Sequence, residues 1–384
     1  MLPAGTTFAW RLAGYYAALF MALGVQVPFL PVWLAAKGLD AAPVGVVLAI
    51  PMVVRLFAIP LITRVADRHD ALRAVIVGAS AASIFSYGAL GFASSLLAIA
   101  LIFAVASSFY TPLMPLADAY ALRGLRAHAR SYGPVRLWGS VAFIAGSLAA
   151  GLMLDVIPPR HLIWIMVAAL LITAAAACAL APLAGGRMAA PAGSARTHSL
   201  LRDSRFVAVT VGAGLIQASH AIYYGFSTLA WRGEGFDGTA IGGLWAIGVM
   251  AEIALFALSP RLPLGPAALL LVGAAGAVVR WSAMAFSPPP LLLPILQCLH
   301  GLSFGATHLG ALAYVAASAP IEFGASAQGY LAVVLGLVMA VAMGVSGFLY
   351  AEWGNGAYAA MAVVAAAGGV VVLAGGTSKS RSAV

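Results

Sequence analysis

Long apolar runs separated by short polar connectors set the pattern of this chain. A helix needs ~20 predominantly apolar residues to cross a bilayer. Runs of that length fall near residues 8–35, 42–66, 72–93, 96–122, 132–156, 160–182, 206–231, 239–260, 265–286, 290–318, 325–352 and 355–375. The pattern predicts an all-α polytopic membrane protein with twelve transmembrane helices. The runs at 290–318 and 325–352 are long enough to tilt or to continue past the membrane surface. The first run, Phe8–Leu34, is too long for a signal-peptide core and lacks a clear cleavage site, so it reads as the first span.

Polar interruptions divide the series. The stretch from Gly185 to Arg205, GGRMAAPAGSARTHSLLRDSR, is basic and contains Gly, Pro and Ser, as a linker between bundles would. The expected division is an N-terminal six-helix bundle at 1–184, a cytoplasmic linker at 185–205, a C-terminal six-helix bundle at 206–376 and a cytoplasmic tail at 377–384. An internal repeat supports two pseudo-symmetric halves. GLDAAPVGVVLAIPMVVR, ending at Arg55, aligns without gaps on GFDGTAIGGLWAIGVMAE, ending at Glu252. Gly38, Asp40 and Gly45 match Gly235, Asp237 and Gly242, and Arg64 matches Arg261. Duplicated halves are common in transporters, whose binding sites lie near the midplane.

Composition then excludes a water-soluble fold: 63% of residues are hydrophobic and 8% charged, where a soluble chain carries roughly a quarter charged. The net charge of +9 does not point to nucleic acid, because the basic residues are spread among short loops. With both termini inside, fourteen fall on the cytoplasmic side and only Lys37, Arg160 and Arg232 opposite, leaving Arg55, Arg136 and Arg280 within spans. That imbalance predicts cytoplasmic N- and C-termini in a bacterial-type plasma membrane. Cys178 and Cys298 lie in apolar runs and form neither a disulfide framework nor a metal site, and no cofactor fingerprint is present.

Charges within spans are costly and mark function by default. Asp118 and Arg136 flank a basic connector, each nine residues from a turn near Ala127. Antiparallel helices would hold them at equal depth, ~13 Å from the turn at 1.5 Å per residue, so an ion pair is expected. Arg136 offers a planar fork for a carboxylate or paired hydroxyls. Glu252 lies at a comparable depth and is the preferred proton carrier. Burial and a nearby guanidinium act on its protonation in opposite senses. His300, Ser303, Thr307 and His308 form a polar stripe on the tenth span. Arg280, with His300 or Glu252 as partner, joins the proton-coupling set, although seven residues from a helix end it is also placed to snorkel. Gln217, His220, Tyr223 and Tyr224 are candidates to line the seventh span, and Tyr15, Tyr16, Gln26 and Pro28 the first. The substrate-binding candidates are Asp118, Arg136, Gln217, His220, Tyr224 and His308. For each residue the competing reading is packing or a structural clasp. Arg55 has no evident partner.

TRVADRHDALR, Thr63–Arg73, resembles the G-x-x-x-D-R-x-G-R-[KR] motif of the major facilitator superfamily. Asp67 and Arg68 match, while Thr63 and Asp70 replace the glycines and Ala71 the first basic residue of the tail. By this resemblance Asp67, Arg68 and Arg73 form a cytoplasmic gate motif. The pair Asp118…Arg136, within PLADAYAL and YGPVRLWGS, resembles the lactose-permease branch, where an acid on the fourth span and an arginine on the fifth bind substrate. YGPVRLWGSVAFIAGS, HAIYYGFSTLAW, GVMAEIALF, VVRWSAM and QCLHGLSFGATHLGALAYVA look most like the phenylpropionate-permease group, with nucleoside:proton symporters as relatives. The resemblance implies the MFS fold, a monomer, and a meeting of the fifth and eighth spans that would join Asp118, Arg136 and Glu252.

The leading expectation is secondary active, proton-coupled uptake of a small organic, aromatic carboxylate. Its partners would be the small-molecule substrate, protons and the bilayer. A nucleoside or sugar symporter, an exporter and a non-transporting sensor are alternatives. An intramembrane enzyme using His300, His308 and Asp118 would need acid–base chemistry alone, since no G-x-S-x-G nucleophile motif occurs.

Overall fold

The apolar runs become helices because hydrocarbon offers no partner for backbone N–H and C=O groups, which must bond within the segment. A computed structural model describes residues 4–183, 200–318 and 324–377. The helices are α1 (Ala4–Ala36), α2 (Ala41–Arg68), α3 (Leu72–Phe92), α4 (Leu96–Tyr110), α5 (Leu113–Ala127), α6 (Tyr132–Val156), α7 (Leu162–Cys178), α8 (Ser204–Ala218), α9 (Ala221–Gly233) and α10 (Gly238–Leu258). They continue as α11 (Pro266–Ala285), α12 (Leu293–Cys298), α13 (Thr307–Ser318), α14 (Gly324–Trp353) and α15 (Tyr358–Thr377), and no strand occurs among the described residues. Residues 185–199 of the expected linker and 378–384 of the tail lie outside them.

Eleven stretches of the described chain are long and apolar enough to cross a membrane. The last, Ala327–Gly375, has 49 residues and at 1.5 Å per residue would measure ~73 Å, more than twice the ~30 Å hydrocarbon core. It is folded back at Gly354–Ala357 into α14 and α15, with Gly354 at φ +52°. The expected twelve passes are thereby accounted for.

Three spans are broken rather than continuous. The fourth breaks between α4 and α5 at Thr111–Pro112, where proline cannot donate to the helix ladder. The seventh breaks at Ser219–His220. The tenth passes from α12 into a π-helical turn, Gly301–Ala306, before α13. Asp118, His220 and His300 stand at or just beyond these breaks, and π turns inside helices often accompany functional sites.

The sequence repeat is visible in backbone geometry. Leu39 N–H bonds to Leu34 O at 3.3 Å and Phe236 N–H to Trp231 O at 3.0 Å. Gly38 and Gly235 supply the positive φ, +87° and +91°, that this helix ending requires. Asp40 and Asp237 then precede α2 and α10.

Contacts divide the chain into two compact units, Met1–Met188 with Phe226–Ala246, and Ala189–Gly225 with Ile247–Val384. In the first, α1 packs chiefly on α6 and α7. The start of α10 belongs to this unit because α6 receives it closely. A Cβ added at Gly151 would fall 2.1 Å from Gly238 O, so only glycine fits. Asp155 caps this helix start, accepting from Gly238 N–H at 2.6 Å, Thr239 N–H at 3.0 Å and the Thr239 hydroxyl at 2.9 Å. In the second unit, α15 packs on α8 and α11, and α11 on the tenth span.

Candidate functional site

Each unit holds a cluster of charged side chains inside its apolar spans. In the first unit, α5 and α6 form the expected hairpin about residues 128–131, carrying Asp118 and Arg136. The expected ion pair is absent. Asp118 Oδ1 instead accepts the Tyr16 hydroxyl at 2.6 Å and the Tyr132 hydroxyl at 2.8 Å. The reason lies in packing: α5 and α6 scarcely touch each other, and α6 lies mainly against α1. Tyr16 of α1 therefore reaches the carboxylate first.

Arg136 turns to aromatic faces, its guanidinium carbon 3.9 Å from the Phe20 ring centroid and 5.6 Å from that of Tyr16. It is half-buried and has no hydrogen-bond or carboxylate partner among the described residues. A stacked guanidinium keeps its in-plane N–H groups for a planar acceptor such as a carboxylate. Asp118 Oδ2 likewise takes no donor among the described residues. Tyr132 stands one helical turn before Arg136 and Phe20 one turn after Tyr16, so both share the faces of residues already singled out.

The second unit is wired differently. Arg280 is fully buried, 0% exposed, and does not snorkel. Its Nη1 meets His300 Nδ1 at 2.8 Å, its Nη2 donates to Gln297 Oε1, and its plane lies over Tyr223 and Trp281 at 4.3 and 4.6 Å. His300 Nε2 lies 2.8 Å from Glu252 Oε1.

Donor chemistry fixes the protons. Guanidinium groups only donate, so His300 Nδ1 accepts and its single proton sits on Nε2, donated to Glu252. The expected choice between His300 and Glu252 as partner of Arg280 resolves as a bridge, with the imidazole spanning the difference in depth. His220 follows the same logic. Its Nδ1 donates to Gln217 O at 3.0 Å, leaving Nε2 to accept the Ser303 hydroxyl at 3.1 Å.

Gln217 donates from Nε2 to Phe304 O at 3.3 Å, and the Tyr224 ring stacks on His220 at 5.6 Å. Thr307 bonds to Ser303 O in its own helix. His308 stacks on Phe304 at 5.9 Å. Residues missed from sequence include Tyr132, Phe20 and Trp281 and, most closely tied to the relay, Gln297, 0% exposed, three positions before His300 and on the same helical face.

The gate-motif residues separate. Asp67 and Arg68 are exposed at the end of α2, whereas Arg73 Nη2 donates to Cys178 O at 2.9 Å. Among the described residues no group of three or more His, Cys, Asp or Glu side chains is placed to hold a metal ion.

The model of the MFS_1 like family matches residues 9–360. The chain is 33% identical to the probable 3-phenylpropionic acid transporter of Escherichia coli (strain K12), covering 93% of this chain and 94% of that one. It is 28% identical to the maltose permease of Geobacillus stearothermophilus, covering 96% of each. The crystal structure of the nucleoside transporter NupG is similar in fold, with a TM-score of 0.86 at 16% identity, covering 97% of this chain and 100% of that one.

Proposed function

The chain belongs to the MFS_1 like family of multi-pass membrane transporters, and from that premise we propose that it carries a small aromatic carboxylate in symport with protons. The observation that carries this reading is Arg136, half-buried inside a span, stacked on Phe20 and Tyr16, with no acceptor among the described residues. A carboxylate satisfies its donors, and an aromatic body suits the neighbouring rings. Asp118, held by two tyrosine hydroxyls, lies in the same cluster. The relative at 33% identity is named for 3-phenylpropionic acid, a ligand of this class.

Proton coupling is assigned to Glu252. A proton added to His300 would place an N–H against the Arg280 N–H, so the imidazole relays but does not store charge. Glu252 is the acceptor end, where a proton removes charge without opposing two donors. Gln217, His220 and Tyr224 are assigned to substrate binding from the second unit, and transport proceeds by alternating access of the bundles 1–184 and 206–376. The protein acts as a monomer in a bacterial-type plasma membrane with both termini cytoplasmic.

Proteoliposomes with an imposed inward proton gradient test this reading. Expected is accumulation of 3-phenylpropionate over uridine and maltose. Preference for uridine or maltose would replace it with a second reading, a hydroxyl-bearing substrate, which the open Asp118 Oδ2 favours.

A further inference from the structure

Neither cluster contains Arg55, the third guanidinium found within a span. It lies midway along α2, which runs from Ala41 to Arg68. At 1.5 Å per residue the nearer end of the helix is ~20 Å away, beyond the reach of an arginine side chain, so Arg55 cannot snorkel. Val46, Val53, Phe57 and Leu61 form the exposed apolar face of α2. Arg55 stands two residues from both Val53 and Phe57, about 200° round the helix, and so points to the opposite side. Along that side Val44 and Ala66, about three turns before and after it, are fully buried, whereas Arg55 is half-buried. The repeat carries the same arrangement into α10. Met250, Ala254 and Leu258, which match Val53, Phe57 and Leu61 in register, are exposed too. Glu252, which matches Arg55, turns away from that face to His300.

The accessible surface of Arg55 therefore lies on the protein side of α2, not on the lipid side. Its nitrogens keep accessible surface, and no hydrogen bond or ion pair reaches them among the described residues. An unpartnered charge within a span is costly, and for a guanidinium the group that offsets the cost is an anion. Arg280 is offset by Glu252 through His300. Arg55 and Arg136 have a single carboxylate within the spans of their unit, Asp118, and it accepts from tyrosine hydroxyls. The excess positive charge is removed by a monocarboxylate and left in place by a neutral sugar or nucleoside. We propose that Arg55 is a second binding residue for the transported carboxylate, donating to it from α2 as Arg136 does from α6. This rests on the reading of the substrate as a carboxylate.

Phenylglyoxal, which modifies accessible guanidinium groups, tests this on the intact protein in proteoliposomes, each arginine being followed by peptide mass spectrometry. Exposed Arg64 on the same helix is the reference for full reactivity and buried Arg280 the reference for none. Arg55 should react, and 3-phenylpropionate at ten times its Kd should slow that reaction about tenfold by occupancy, with Arg64 unchanged. Uncharged 3-phenylpropionamide should give no protection. Arg55→Gln should weaken binding of the acid roughly tenfold, the loss of one charge-assisted bond, and leave binding of the amide as it was. The labelling needs no variant, so it stands even where Arg55→Gln fails to fold. An Arg55 that stays unmodified, or that the acid fails to protect while Arg136 is protected, overturns the role of Arg55 alone. Equal protection by the amide, or unchanged acid binding in Arg55→Gln, does the same. Protection of Arg55 without Arg136 upholds this proposal and removes Arg136 from the substrate site, and protection of neither overturns both.

Discussion

Arg136 and Arg280 are the same residue in opposite situations. Arg136 lies against two aromatic rings with its donors unspent, whereas Arg280 is wholly buried and bonded to His300 and Gln297. A guanidinium without a protein acceptor is available to a ligand. One whose charge reaches Glu252 through an imidazole holds its own surroundings together. The difference teaches that depth in a span does not decide what a charge does; the partners within reach decide it.

The largest effect expected from breaking this contrast is on stability. Arg280→Gln leaves Glu252 and His300 in an apolar interior without the counter-charge, a loss of about 3–5 kcal/mol by the usual cost of breaking a buried pair. Thermal unfolding in detergent should show a large fall in Tm, partly restored in Arg280→Gln/Glu252→Gln. Arg136→Gln should leave Tm nearly unchanged, since it orphans no protein acceptor. Its effect should appear in binding: a charge-assisted bond of about 1.5–3 kcal/mol makes carboxylate affinity roughly ten- to hundredfold weaker. Equal loss of Tm in both variants would erase the distinction.

A smaller effect tests how Asp118 is held. Tyr132→Phe removes one of the two hydroxyl donors, worth about 0.5–1.5 kcal/mol, and substrate affinity should fall by a few-fold. Unchanged affinity would mean that Tyr16 alone sets the carboxylate.

The hairpin carrying Asp118 and Arg136, their equal distance from the turn and the Gly38/Gly235 repeat were legible because each depends on local periodicity and turn chemistry. The destination of Asp118 was not. Tyr16 is 102 residues away, and only the packing of α1 against α6 brings it there. Arg280 looked able to snorkel because counting along one helix ignores neighbours. In the structure the tenth span covers it, with His300 and Gln297 accepting from its Nη1 and Nη2. Gln297 was within reach of the i, i+3 rule but carries no charge to draw notice. The π turn at Gly301–Ala306 has no periodic mark, and it sets the register of Ser303 beside His220.

The division of labour between the two clusters is tested most directly by Glu252→Gln in proteoliposomes, measuring substrate exchange at equal pH and uptake driven by a proton gradient on the same preparation. The account predicts that exchange of 3-phenylpropionate persists while gradient-driven accumulation is lost. Accumulation that survives the substitution, or exchange that disappears with it, would contradict the account.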